Sequence, residues 1–472
     1  MHSMLREVCR KAVLYSTQVF HTGELRPKKT RTRLMNSVPP IPFANILPLE
    51  NCGSKNNSDK FYAVVYDLLK KGNLPQAEIL LRDRQEREPN NPRTLNFLGW
   101  IAAAVNLPKF SLPYFSEAVK LAPDWKMPQI NLDRVNKYLT DNQGYSDDPE
   151  SRELEKFLLI KSWGYGFWAD VSHVLGQLLV AEITGRIPIV HWGRNSLFGN
   201  GKDTNAFEFY FEAISIRDVG SLQEEDFDFW PPKWNYQNLL EGEVNKWSGP
   251  FSRVAGLYLL SRQEKVIVSD FYASVLELKP WIPNGHHLYG LSVDELWMYL
   301  VDHYLHPKKE ILDAVDHFYN THLVSSDFIA VHARGSDKAL EINNLSEVNR
   351  QYKEIINQYL ASNNCKNIFL MTDDARVLAY FKETYGDKII ATDCQRTNSA
   401  KGIHYQAVPD RRQLGTEVMV DAYLAEKAKA FVGNGFSNPS QIVRYLKNWH
   451  SDDVILIGQN LYHTPNTVLH NW

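Results

Sequence analysis

The chain has 472 residues, of which 44% are hydrophobic and 23% charged, with a net charge of −3. That length fits about two to four globular domains, and the near-neutral charge gives no overall pull toward nucleic acid or an anionic membrane surface. Four cysteines (Cys9, Cys52, Cys365 and Cys394) stand without Cys-x-x-Cys spacing. This argues against a zinc site or a disulfide framework and for a reducing, cytoplasmic setting, free or at a membrane surface. No apolar run approaches the roughly 18 residues that a membrane span needs.

In chain order, residues 1–57 come first as a basic, acid-poor arm followed by a linker rich in Pro, Asn, Gly and Ser, and both are expected to be disordered. The next segment, 58–145, repeats itself. Helical patterns end at Pro89 and at Pro123, 34 positions apart, and small residues (Ala77, Ser111, Ala118) recur where helices would cross. A 34-residue period of helix pairs resembles the tetratricopeptide repeat. Such pairs cannot bury their apolar faces alone. With only about two and a half units visible, the module is expected to lean on the domain after it. Its surface would then serve a protein partner or self-association, or act as a packing collar.

After a polar hinge at 140–153 the pattern changes. A strand is predicted at 157–161, a Gly-containing turn and long helix at 164–186, and a second strand at 187–192, which is the order of a parallel α/β unit. Residues 200–285 are aromatic and irregular. Their rings and near neighbours (Trp230, Trp234, Tyr236, Trp281, Tyr289) suit either stacking on an acceptor glycan or filling a core. Ser292, with Glu295 three residues later, has the pattern of a capping box, and two helices follow, broken near Pro307. From 321 to the end the alternation is regular, with strands at 328–333, 367–372, 388–392, 430–433 and 453–458 and helices between them. The fold class is α/β: two Rossmann-type domains, 155–320 and 321–472, behind a small all-α module.

In open parallel sheets, ligands sit beyond the carboxyl ends of the strands. Arg334, Asp373, Asp393 and the run Asn434 to Ser440 each follow a predicted strand, so polar groups from four strand ends meet at one rim.

The stretch VHARGSDK (331–338) resembles the His-x-Arg-x-x-Asp-Lys signature of the α1,6-fucosyltransferase and protein O-fucosyltransferase superfamily. YLHPKKEILDAV upstream and IFLMTDDARVL, IIATDC and DAYLAEKAKAFVGNGFSNPSQIVRYL downstream keep that family's order, and GYGFWADVSHVLGQLLVAEITGRIPIV is similar to its N-terminal turn and helix. The resemblance covers about residues 155 to 460. It implies a GT-B fold, a GDP-fucose donor, inversion at the sugar carbon, a glycan or protein acceptor, and neither metal nor other cofactor.

Carried over residue by residue, the resemblance makes Arg334 the cation that meets the departing diphosphate. A guanidinium forks onto phosphate oxygens and never deprotonates. His332 would touch the nucleotide, and Asp393 would accept the guanine N1–H and amino protons. Ser437, Ser440 and Gln441 fall in the segment that holds the diphosphate at a helix N-terminus. Gly164 and Gly166 would let backbone approach the donor from the other domain. Glu341 lies near the family's general base, one residue early, while Asp337 and Lys338 are read as structural. Gly335 stands where the core fucosyltransferases carry a second Arg. Asp373-Asp374 lacks the spacing of a metal-binding Asp-x-Asp and is read as a helix cap. Two other readings compete: a transferase for another nucleotide sugar such as GDP-mannose or a UDP-sugar, and a non-catalytic repeat scaffold on a degenerate sugar-nucleotide domain.

Overall fold

The computed structural model describes residues 57–70, 74–104, 108–141, 155–201, 204–241, 262–269, 273–283, 285–335, 345–362, 365–399, 401–458, 460 and 462–463. The predicted basic arm and almost all of the linker lie outside these residues. So do residues 142–154 of the hinge and the segment 336–344, which carries Asp337, Lys338 and Glu341.

Five helices open the described chain: α1 (Asn57–Lys70), α2 (Leu74–Arg87), α3 (Pro92–Ala104), α4 (Pro108–Leu121) and α5 (Lys126–Asp141), each packed on the next. Leu74 to Pro108 and Pro92 to Lys126 both span 34 positions. Pro92 and Pro108 stand at first helical positions, where a missing N–H costs nothing. Ala77, Ser111 and Ala118 are buried. Gly99 of α3 lies on a ring of α4, where a Cβ would come 2.8 Å from Phe115 Cε1. Helix α3 is buried from Thr94 to Ala104, and its polar groups are met from neighbouring helices: Asn131 Nδ2 donates to Asn96 Oδ1 (3.0 Å), and Thr94 and Tyr62 share a hydroxyl bond of 2.8 Å.

The helical stack closes on Trp281, a residue of the α/β part. Its ring is buried in the stack's own core, 6.2 Å from Phe110 and 5.4 Å from the Arg82 guanidinium, which Glu78 pairs at 3.1 Å. The stack therefore leans on the following domain through one aromatic plug.

The first sheet holds β1 (Phe157–Lys161), β2 (Ile187–His191), β3 (Phe229–Trp230) and β4 (Val266–Val268) in the order β2-β1-β4-β3, all parallel. Between β1 and β2 runs α6 (Phe167–Thr184), stopped by Gly185 at φ 65°, a left-handed C-cap that favours glycine. At its other end the Asp170 carboxylate accepts the amides of Trp163, Gly164 and Tyr165 at 3.1–3.3 Å. Of the predicted acceptor-side rings, Trp230, Trp234 and Trp281 are buried core and Tyr289 is exposed.

A short helix α7 (Val275–Leu278) leads to α8 (Val293–Tyr304), which opens with the predicted box: Ser292 Oγ takes the Glu295 amide and Glu295 takes the Ser292 amide. Helix α9 (Lys309–His322) follows beyond Pro307. The second sheet comprises β5 (Phe328–His332), β6 (Asn367–Met371), β7 (Ile389–Ile390), β8 (Ala430–Asn434) and β9 (Val454–Ile457), all parallel. Its helices are α10 (Leu345–Ser362), α11 (Ala375–Tyr385), α12 (Arg411–Glu426) and α13 (Asn438–Tyr445). The spatial order β7-β6-β5-β8-β9 is third, second, first, fourth, fifth, which is the doubly wound order with its switch point between β5 and β8.

One strand is shorter than its pattern. The 388–392 run pairs only through Ile390, because residues 392–396 leave the sheet for α12: Thr392 donates its hydroxyl to Asp421 Oδ1 (2.6 Å), and Arg396 returns to the Thr392 carbonyl (2.8 Å).

The two sheets share one apolar core. Polar ties reinforce it. Arg411 of α12 donates to the carbonyls of Leu197 (2.9 Å) and His404 (2.8 Å), and Asp294 of α8 takes Arg444, Tyr445 and His463 at 2.7–3.0 Å. Trp297 and Tyr462 stack at 4.1 Å.

Trp281→Ala empties the plug between stack and sheet. The expected cost is about 3–5 kcal/mol of stability, the usual range for a fully buried aromatic, read as a fall in the denaturation midpoint. An unchanged midpoint would show that the stack does not depend on the plug.

Candidate functional site: a charged cleft at the switch point

The carboxyl ends of β5 and β6 open on a cleft that Pro439 of α13 borders from the β8 side. Three groups of residues meet there. His332 and Arg334 come from the end of β5, Thr372 and Asp373 from the end of β6, and Gln395, Glu417 and Asp421 from the β7–α12 connection and α12. Trp168, in the first turn of α6, closes it from the other sheet's side. The indole Nε1 of Trp168 is buried and has no hydrogen-bond partner among the described residues.

Arg334 is not loose. Its Nη1 lies 2.9 Å from Asp373 Oδ2, and both side chains are largely buried. Such a pair aims the guanidinium, which carries five donors in a fixed fork. Asp374, next in sequence, does the capping work predicted for the pair. It accepts the Arg376 amide at 2.8 Å and binds the Arg376 guanidinium at 2.6 and 3.0 Å. The two aspartates thus divide the labour: one orients a cleft cation, the other caps α11.

The departure at Gly335 has a steric reason. A Cβ there would stand 2.5 Å from Asp374 Oδ2 and 2.6 Å from Asp374 Cβ. The space that a second Arg would need is filled by a buried carboxylate.

His332 ends β5 in full burial, and its main-chain carbonyl takes the Tyr352 hydroxyl at 2.7 Å. Burial, aided by the charge of Arg334, pushes its pKa down to about 3, so the ring is neutral at any physiological pH. Its Nδ1 lies 2.6 Å from Ser440 Oγ, and that oxygen already accepts the Asn434 amide at 2.9 Å. The serine oxygen thus bridges the ends of β5 and β8.

The β8–α13 turn brings the other predicted residues together but gives them different work. Ser440 is committed to His332. The Ser437 hydroxyl, at the cap of α13, is buried and has no partner among the described residues. Gln441 donates from Nε2 to the Gly435 carbonyl at 2.5 Å, while its Oε1 is buried and has no partner among the described residues. Pro439 removes one amide from the first turn of α13, so this helix end offers fewer N–H donors than most.

Gly164 adopts φ +74° and has the Asn195 carbonyl 2.7 Å from where a Cβ would be. The turn itself accounts for this glycine. Gly166 faces the His404 ring at an ordinary 3.7 Å. Asp393 is exposed and does not line the cleft, because β7 ends three residues before it. Glu341 lies outside the described residues.

The acids on the cleft wall are instead Glu417 and Asp421, one helical turn apart on α12. Glu417 Oε2 holds the Gln395 amide at 2.9 Å. Burial raises the Asp421 carboxyl to about 6; the Thr392 hydroxyl and the Arg396 charge work against the rise, and Glu417 adds to it. Cys394 also faces the cleft, but burial and Asp421 push its thiol up to about 12, so it is no nucleophile. The signal that could have found the acidic pair was the i, i+4 spacing of two acids on the helix face that also carries Leu414, Val418 and Ala425.

No family model matches the chain, and no curated protein does. Among solved structures, it is similar to the α1,6-fucosyltransferase NodZ co-crystallised with GDP: 19% identity and a TM-score of 0.42 over 61% of this chain and 92% of that one. A second structure, fucosyltransferase NodZ from Bradyrhizobium, gives 18% and 0.41 over 61% and 93%. POFUT1 in complex with GDP-fucose gives 14% and 0.42 over 65% and 99%. At such identities and TM-scores the likeness transfers neither a residue role nor an activity to this chain.

Gly335→Ala tests the packing of this rim. The added methyl meets the Asp374 carboxylate, and overpacking of this kind costs about 1–3 kcal/mol. The expected result is a lower melting temperature, and an unchanged one would mean that Asp374 can move aside.

Proposed function

We propose that the chain is a glycosyltransferase that moves the sugar of a GDP-linked donor, fucose first among candidates, onto a glycan or protein acceptor with inversion and without a catalytic metal. The observation that carries this reading is the Arg334–Asp373 pair beside the β8–α13 turn, at the switch point of a doubly wound sheet.

The chemistry follows from charge. The acceptor oxygen attacks the anomeric carbon, the bond from that carbon to the β-phosphate oxygen breaks, and GDP leaves with the electron pair. Negative charge grows on the diphosphate, and Arg334, held in aim by Asp373, is the fixed cation that meets it. Ser437, with its buried hydroxyl, is the better diphosphate ligand of the two serines, since Ser440 is engaged by His332. Neutral His332 offers its Nε2 as a polar contact to the nucleotide. Asp421 and Glu417 take over the base-reading role first given to Asp393, because carboxylates on the wall can accept the paired N–H groups of guanine. The acceptor's proton goes to a base near the start of α10, for which Glu341 remains the candidate. Helices α1–α5 would present a partner surface in the manner of tetratricopeptide repeats.

Gly335 favours a second reading, a different nucleotide sugar, because one cation of the resembled pattern is missing. Hydrolysis assays with GDP-fucose, GDP-mannose and UDP-sugars separate the two readings, and turnover of a UDP-sugar alone would overturn the first.

Arg334→Lys or Ala should lower turnover about 100- to 1000-fold, as loss of one preorganised electrostatic stabiliser does. Unchanged turnover, measured by GDP release, would end the proposal.

GDP affinity should rise with pH. Below about 6 the Asp421 carboxyl is protonated and competes poorly for N–H donors; above it the ionised form accepts both. Calorimetry from pH 5 to 8 should show weak binding at the acid end, a rise centred near 6, and no such rise in Asp421→Asn. A flat profile in the unmodified chain would remove Asp421 from the binding role.

A further inference from the structure

The far end of α6 carries a second cluster of chemical groups that the transfer reaction does not use. Glu182 sits there, half-buried. Both tyrosines of the facing helix α8 donate to one of its oxygens: Tyr299 Oη at 2.9 Å and Tyr304 Oη at 2.6 Å, both to Oε1. The other oxygen, Oε2, points at the turn before α8, where His286 and His287 stand side by side with ring centroids 4.5 Å apart. His287 Nε2 is 3.7 Å from Oε2. His286 Nε2 reaches the Glu182 main-chain oxygen at 3.1 Å.

From this geometry we infer a structural binding site for a zinc-class divalent cation, with Glu182 Oε2, His287 Nε2 and His286 Nε2 as ligands and water as the fourth. The ligand atoms lie within 4.8 Å of one another. A tetrahedral ion with bonds of about 2.1 Å separates its ligands by about 3.4 Å. His287 Nε2 shares a 3.2 Å bond with the Tyr299 hydroxyl, which the ion would replace, and its 3.7 Å from Glu182 Oε2 is too long for a hydrogen bond and close to that edge. His287 is 56% exposed in its side chain, so its ring can turn to close the remaining gap.

Two imidazoles with one carboxylate select zinc and its neighbours over magnesium or calcium, which prefer oxygen donors only. The tyrosines fill the outer layer such sites need, fixing the carboxylate so that one oxygen is left for the ion. Binding through His286 Nε2 replaces its bond to the Glu182 main-chain oxygen, moves that ring's proton to Nδ1 and gives up the 3.2 Å contact from the Leu288 amide. Glu182 and Trp168 are 14 positions apart on α6, about 21 Å along the axis. The ion is thus remote from the cleft and takes no part in transfer. It staples the end of α6, the His-His turn and α8. This departs from the expectation of a chain without metal sites. The ligands escape a sequence search because 104 positions separate Glu182 from His286.

The test uses the full chain, stripped with EDTA, dialysed, and titrated with zinc alone against a chromogenic chelator. One zinc per chain is expected, with Co²⁺ giving the visible absorption of a tetrahedral site and zinc raising the melting temperature. Tyr304→Phe should weaken binding about 10- to 100-fold, as loss of an outer partner does. His287→Ala, at an exposed position that tolerates truncation, should abolish both the stoichiometric binding and the thermal shift. No zinc bound by the unmodified chain, or equal binding by His287→Ala, would overturn the assignment. GDP binding, read on the same samples, should be indifferent to zinc, so failure here leaves the transferase reading to be judged separately.

Discussion

The hydroxyl of Ser440 holds the site together. It takes an amide from the end of β8 and shares a hydrogen bond with the imidazole at the end of β5. Those two strands flank the switch point, where the chain's connections depart in opposite directions and leave a crevice. The bond ties the two strand ends together and leaves Ser437 as the serine with a spare hydroxyl. Arg334 lies two residues beyond the same imidazole and is steered by Asp373 from the next strand. The crevice is therefore lined by groups whose directions are settled before a ligand arrives, which is the condition for electrostatic stabilisation without reorganisation.

Much of the scaffold was legible because its signals are local. The strands begin as unbroken apolar runs at 157–160 and 328–331, as strands buried on both faces must. Ser292 and Glu295 announced α8 by chemistry confined to four residues. The 34-residue offset reappears in the helix starts because each helix pair must present the same face to its neighbour. What failed was not local. The run 388–392 looks like a full strand, yet Thr392 is drawn away by α12, a contact 29 positions distant that no window around the strand contains.

The cleft was legible in part. Strand ends nominated Arg334, His332 and the 434–441 turn, and these do converge. Asp393 fell out because its placement depended on the length of β7. Asp421 and Glu417 were missed because a helix that is buried on one face hides its acids among apolar neighbours. Gly335 could be noted as a departure but not explained from sequence, since the carboxylate that fills its space belongs to a residue nearly 40 positions later.

The turn that begins α6 has a consequence for how the two halves share their work. Three successive amides there, which would otherwise form a cradle for an anion, are already taken by Asp170. An internal carboxylate has neutralised that helix end. On this side the cleft is bordered by the indole of Trp168. Under the proposed transfer, charge compensation would then fall to the sheet that carries Arg334, and the first sheet would supply shape. A change in the Trp168 wall would leave the Arg334–Asp373 pair untouched.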